Sequence, residues 1–160
     1  DGLLEYKQRN RSFKDYPNAD ALAPKDIPGL DLDILVPAAL EGQINEGNAN
    51  GIKAKIIVEG ANGPTTGEAE PILRDKGILV VPDILANAGG VVVSYFEWVQ
   101  NVQRYAWELD EVNSRMERIL TRSFEEVRET ATKHNTDMRT GAMLLAVSKV
   151  AEAMETRGGV

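Results

Sequence analysis

The chain has 160 residues, the size of one domain, with ordinary hydrophobic (42%) and charged (27%) fractions. A net charge of -7 argues against nucleic acid or an anionic membrane as the main partner, and no apolar run approaches the length of a membrane span. The absence of cysteine excludes a disulfide framework and a thiolate metal site, and leans toward a cytoplasmic location.

In chain order, Asp1 to Arg11 reads as the tail of a short helix, with Leu3, Leu4 and Tyr6 apolar and Lys7 and Arg9 late, where cations suit a helix end. The start lacks the basic and apolar segments of a signal peptide and an initiator Met, so the chain is expected to begin inside a longer protein. Arg11 to Pro28 is polar and punctuated by Pro17, Pro24 and Pro28, a loop with one helical turn at most. Leu32-Asp-Ile-Leu-Val36 predicts a first strand, apolar enough to be buried on both faces of a parallel sheet, ending at Pro37. The loop of small residues after it, Pro37-Ala-Ala-Leu-Glu, either admits a ligand to the backbone or merely packs closely.

Ile44 to Gly51, rich in Asn and Gly, predicts a short frayed helix, and Ala54 to Val58 a second strand. Thr65, three residues before Glu68, has the spacing of a capping box for a helix running to Lys76. Pro71 within that span implies a kink or a late start, and Gly77 a stop. Ile78 to Val81 is a third strand. After the turn at Asn87-Ala-Gly-Gly90, a long helix is predicted from Val91 to Trp107. Its aromatics, Tyr95, Phe96, Trp98, Tyr105 and Trp107, read as core or subunit-interface packing.

A second long helix begins at Asp110, its apolar residues recurring every three or four positions from Val112 to Ala131, and ends near His134, which reads as exposed and not catalytic. A third spans Thr140 to Arg157, with Ala142, Leu145, Ala146, Val150 and Ala153 on one face. Gly158-Gly159 would close it, as at a natural C-terminus.

Strand and helix thus alternate three times, which implies an α/β fold with a parallel sheet and right-handed crossovers. Three such strands make about half of a doubly wound, Rossmann-type sheet. No G-x-G-x-x-G occurs, so residues 1–107 read as the second half of a dinucleotide-binding domain lacking its Gly-rich first half. Residues 108–160 read as C-terminal helices packing on the same domain. A half sheet leaves an apolar edge open, so a piece or a partner elsewhere is expected to cover it.

Two loops carry a more particular signal. Val58-Glu-Gly-Ala-Asn-Gly-Pro-Thr-Thr66 and Pro82-Asp-Ile-Leu-Ala-Asn-Ala-Gly-Gly-Val91 each follow a strand, and Ser94-Tyr-Phe-Glu-Trp98 follows the second. With Leu35-Val-Pro-Ala-Ala39, Asp137-Met-Arg-Thr-Gly-Ala142 and Val150-Ala-Glu-Ala-Met154, they resemble the glutamate dehydrogenases of the Glu/Leu/Phe/Val dehydrogenase family over nearly the whole chain.

The resemblance implies reversible oxidative deamination of L-glutamate to 2-oxoglutarate and ammonia with NAD or NADP. It places Asn62 and Asn87 by the nicotinamide, Ala38 and Ala39 where they leave room for its ribose, Val91 against the substrate's carbon chain, and Ser94 as donor to its side-chain carboxylate. Asn87 before two glycines is also good turn chemistry, and Ser94 also suits a bond to its own helix backbone. The family's catalytic Lys and Asp belong to an N-terminal substrate domain that nothing here matches, so the chain alone is expected to be inactive. A homo-oligomer, the family's hexamer, is implied for the whole protein, and no antenna-like insertion separates the long helices. Two other readings stay open: a branched-chain or aromatic amino-acid dehydrogenase, and a non-catalytic half-Rossmann binding or assembly module.

Overall fold

Three apolar runs build the sheet. In the computed structural model, which describes residues 2–17 and 19–158, they form β1 (Ile34–Leu35), β2 (Ile56–Val58) and β3 (Leu79–Val81), all parallel, in the order β1-β2-β3. Register pairs Leu35 with Ile57 and Ile57 with Val80. The helices are α1 (Gly2–Asn10), α2 (Glu46–Ala49), α3 (Ala69–Asp75), α4 (Asp83–Ala86), α5 (Gly89–Gln103), α6 (Leu109–Lys133) and α7 (Met138–Thr156), with a 3₁₀ turn at Pro24–Gly29. The fold is α/β, a small parallel sheet followed by long C-terminal helices.

Side chains alternate across β3, so its neighbours on each face differ. Ile78 and Val80 join a cluster of Leu35, Ile44, Ile52, Ala54, Ile57 and Leu73 under α2 and α3. Val81 joins Leu85, Val127, Met138 and Ala142 under α4, α6 and α7. The second face is covered only at β3. Ile34 and Val36 are therefore each 54% exposed, and the first strand is two residues long at the sheet's end rather than a strand buried on both faces.

Other expectations shift for local reasons. The frayed helix is a single turn from Glu46. Ile44 instead forms a parallel bridge with Thr65, and Asn45 caps the turn, accepting from the Gly47 N–H at 3.0 Å while Asn48 accepts from the Asn45 N–H at 2.9 Å. Because the bridge draws Thr65 into the interior, no capping box forms with Glu68, and α3 begins at Ala69. Pro71 then falls in the first turn, where a missing N–H is tolerated.

The fifth helix starts earlier than predicted, at Gly89, and stops at Gln103, where Arg104 takes a left-handed conformation with φ of 54°. Trp107 lies beyond it and packs on buried Phe96 with ring centroids 5.4 Å apart, whereas Tyr95, Trp98 and Tyr105 are exposed. α6 ends at Lys133 with His134 at its cap, and α7 starts at Met138, with Asp137 as its cap accepting from the Thr140 N–H at 2.8 Å. Its buried face is Met138, Gly141 and Ala142. Ala146, Val150 and Ala153 are exposed, since the buried contacts of α7 are confined to its first turns. Of the predicted ends, Asp1 and Gly159 lie outside the described residues.

Candidate functional site

All three strands point their carboxyl ends the same way, so the loops after them, residues 36–41, 59–66 and 82–88, converge as they do around ligands of doubly wound sheets. Main-chain hydrogen bonds bind the first two loops: Ala61 N–H to Pro37 O, Gly42 N–H to Gly63 O, Ile44 N–H to Pro64 O and Thr66 N–H to Ile44 O, each at 2.9 Å. A Cβ placed on Gly60 would lie 3.0 Å from the Ala38 Cβ, so these loops touch where Gly60 has no side chain.

The third loop is held differently. Beyond the ladder bond from Glu59 N–H to Val81 O at 3.1 Å, its ties to the second loop run through side chains. The Asn87 amide donates to Asn62 Oδ1 at 2.7 Å. The Asp83 carboxylate accepts from the Gly63 N–H at 2.8 Å, and the Glu59 carboxylate from the Asp83 N–H at 2.8 Å. Burial alone would raise the Asp83 carboxyl, but the Gly63 and Ile84 N–H groups and Arg139 outweigh it and hold it below the usual carboxylate range.

Between the loops and the start of α5 lies an open cleft of about 890 Å³. Ala39, Asn62, Asn87, Val91 and Ser94 line it, so five of the six residues singled out in the sequence meet there. Ala38 lies just behind, against Gly60. Val91 is 75% exposed, and Ser94 donates to the Gly90 carbonyl of its own helix at 2.8 Å. Asn62 Nδ2 and Asn87 Oδ1 have no hydrogen bond among the described residues, which leaves a donor and an acceptor side by side at the cleft. The start of α5, behind Ala88, has no side-chain cap. Its N–H groups and dipole favour an anion at that end of the cleft.

The matched residues extend across the chain. Residues 1–158 fit the model of the glutamate/leucine/phenylalanine/valine dehydrogenases. The chain belongs to that family. Among these dehydrogenases it is 53% identical, over 98% of its own length, to glutamate dehydrogenase of Thermotoga maritima. Among solved structures it resembles the hetero-hexameric glutamate dehydrogenase of Thermus thermophilus in a leucine-bound form, at 37% identity and TM-score 0.87 over 98% of this chain and 36% of that one. The glutamate dehydrogenase of Peptoniphilus asaccharolyticus follows at 36% identity and TM-score 0.81, over 99% of this chain and 35% of that one. The chain spans 38% of the length of the Thermotoga dehydrogenase.

Three residues around this cleft escaped the sequence reading. Glu59, Asp83 and Arg139 form a charged group behind Asn62 and Asn87. The available signal was a carboxylate directly after the buried run Ile56-Ile-Val58, a position that demands a cation from elsewhere in the chain.

Proposed function

We propose that this chain is the second half of the dinucleotide-binding domain of an NAD(P)-dependent glutamate dehydrogenase, which interconverts L-glutamate with 2-oxoglutarate and ammonia. The observation that carries the reading is the Asn62–Asn87 pair at the carboxyl ends of β2 and β3, facing the uncapped start of α5. The donor and acceptor left on that pair match the two halves of a nicotinamide carboxamide. The small lining of Ala39, Gly60, Ala61 and Gly90 fits the close approach of a ribose, with Ala38 behind it. Nicotinamide, when bound, supplies the hydride acceptor.

The rest falls to the chain's own residues. Asn62 and Asn87 orient the reacting face, and Val91 packs against the substrate's methylenes. Ser94 offers its hydroxyl to the side-chain carboxylate, exchanging its bond to Gly90 for one to an anion, with the α5 dipole adding to the attraction. Glu41 is the one ionisable residue among those lining the cleft. Proton transfer and capture of the α-carboxylate therefore belong to the remainder of a longer protein, and this chain alone is inactive. The whole protein acts as a homo-oligomer, a hexamer, in the cytoplasm, and the exposed Tyr95, Trp98 and Val102 on α5 are apolar surface for such assembly. Among the described residues, no helix is long and apolar enough to cross a membrane.

The test is cofactor reduction by the full-length protein, with NAD and NADP separately, on glutamate, leucine, valine and phenylalanine. Activity confined to glutamate, with its KM raised about tenfold or more by Ser94→Val through loss of a hydrogen bond to a charged group, supports the reading. Equal activity on leucine, or a Ser94→Val variant with unchanged KM for glutamate, overturns it.

A further inference from the structure

Arg139, in the first turn of α7, is 80 residues from Glu59 in sequence and does not line the cleft. Its guanidinium nevertheless meets carboxylates from three elements. One terminal nitrogen lies 2.6 Å from Glu59 Oε2, the other 2.9 Å from Asp83 Oδ1, and Nε pairs with Glu70 at the start of α3.

Two of these carboxylates have a second task. Glu59 Oε2 also accepts from the Asp83 N–H, and Asp83 Oδ2 accepts from the N–H of Gly63, the residue after Asn62. Asp83 begins α4, whose last turn ends at Asn87. A continuous path therefore runs from α7, through Arg139, to both members of the Asn62–Asn87 pair.

Stability is a poor explanation for this arrangement. The Glu59 side chain is fully buried, and its Oε1 has no hydrogen-bond partner among the described residues. Burying a charged pair with one oxygen unsatisfied is no better for folding than packing apolar groups of the same volume. What charge does supply here is direction. A planar guanidinium addresses two carboxylates at fixed angles, which an ammonium cannot do.

We propose that Arg139 is a positioning residue: by locking Glu59 and Asp83 onto the Asp83 and Gly63 N–H groups, it sets the spacing of Asn62 and Asn87. This rests on the reading of the cleft as a dehydrogenase site. A misplacement of about 1 Å near reacting groups lowers rate by about a hundredfold, so loss of the lock acts on kcat. It acts on glutamate KM only weakly, since Ser94 and Val91 sit on α5 outside the path.

The experiment uses the full-length protein with Arg139→Met, Arg139→Lys, Asn87→Ala and the double variant Arg139→Met/Asn87→Ala. Steady-state kinetics and amide hydrogen exchange are measured on each. The expected result for Arg139→Met is a kcat lowered by about 10- to 100-fold, with glutamate KM changed by less than about threefold. Arg139→Lys recovers part of the loss. The double variant is within about twofold of Asn87→Ala alone, since both remove the same contact. Exchange at Gly63 and Asp83 quickens by about tenfold or more, while α6 stays protected.

A folded Arg139→Met with wild-type kcat overturns the proposal, as do losses that multiply in the double variant or exchange unchanged at Gly63 and Asp83. Should Arg139→Met fail to fold, Asp83→Asn, which keeps the shape and weakens the lock, must show the same kinetic pattern. A wild type that oxidises no glutamate overturns the reading of the cleft, and exchange in the variants then decides on the lock by itself.

Discussion

Replacing Gly141 by alanine sets two effects of opposite sign against each other. Gly141 is in the first turns of α7, where alanine is favoured over glycine by about 1 kcal/mol on helix propensity. Here, however, α7 crosses α6 in near backbone contact. A Cβ at position 141 would lie 2.8 Å from the Ala131 Cβ and 3.0 Å from its Cα and N, where ordinary contact begins at 3.4 Å. The helices must part by roughly 0.6 Å at that point, and the obstacle is main chain that cannot rotate away. The parting loosens Val127, Met138 and Ala142, which share one cluster. Overpacking of this kind costs about 1–3 kcal/mol, so the clash wins and Gly141→Ala destabilises by about 1 kcal/mol net. Urea unfolding followed by circular dichroism measures it, with an expected fall in Tm of about 2–4 °C in a parallel thermal scan. A stability unchanged or raised by about 1 kcal/mol shows that helix propensity outweighs the clash and refutes the reasoning.

Other perturbations test other parts of the molecule. Arg104 pays for its left-handed φ of 54° with a Cβ in a crowded place, so Arg104→Gly raises stability by about 1 kcal/mol in urea titration. On the proposed reading of the cleft as a nicotinamide site, Gly60→Ala in the full-length protein presses on Ala38 and lowers NAD(P) affinity by about tenfold or more in calorimetric titration, with the far-UV spectrum unchanged. Asp83 and Asp137 both have lowered carboxyl pKa values, so the unfolded chain binds more protons in acid. Their contribution is complete above the ordinary value of 3.8 and is lost as pH falls through the folded values, and Asp83→Asn flattens that acid limb of stability.

The order of elements was legible because each strand is a short β-branched run followed by turn chemistry, and α6 shows an uninterrupted helical period from Val112 to Ala131. The wording of the loops after the strands and of the start of α5 singled out six residues, and five of them line one cleft. Burial was harder to read. Ile34 and Val36 are as apolar as Ile57, but Ile57 packs under α2 and α3, whereas the face that Ile34 and Val36 share is covered only at β3. Thr65 and Glu68 have the spacing of a cap, but a bridge to Ile44, twenty-one positions earlier, outcompetes it. Arg139 was invisible as a partner of Glu59 for the same reason, since pairing over 80 residues leaves no local pattern.

The two fastenings of the cleft imply unequal freedom to change. The wall between residues 36–44 and 60–66 is stitched by main-chain groups that every residue except proline carries, so most replacements of Leu40, Glu41 or Gln43 leave the stitching intact. The wall between residues 59–63 and 83–87 hangs on particular side chains, where a single exchange removes a knot. A scan of every substitution should find the first wall permissive and the second intolerant. New specificities for this scaffold would therefore be sought along the permissive side, which can vary in chemistry while its course is held.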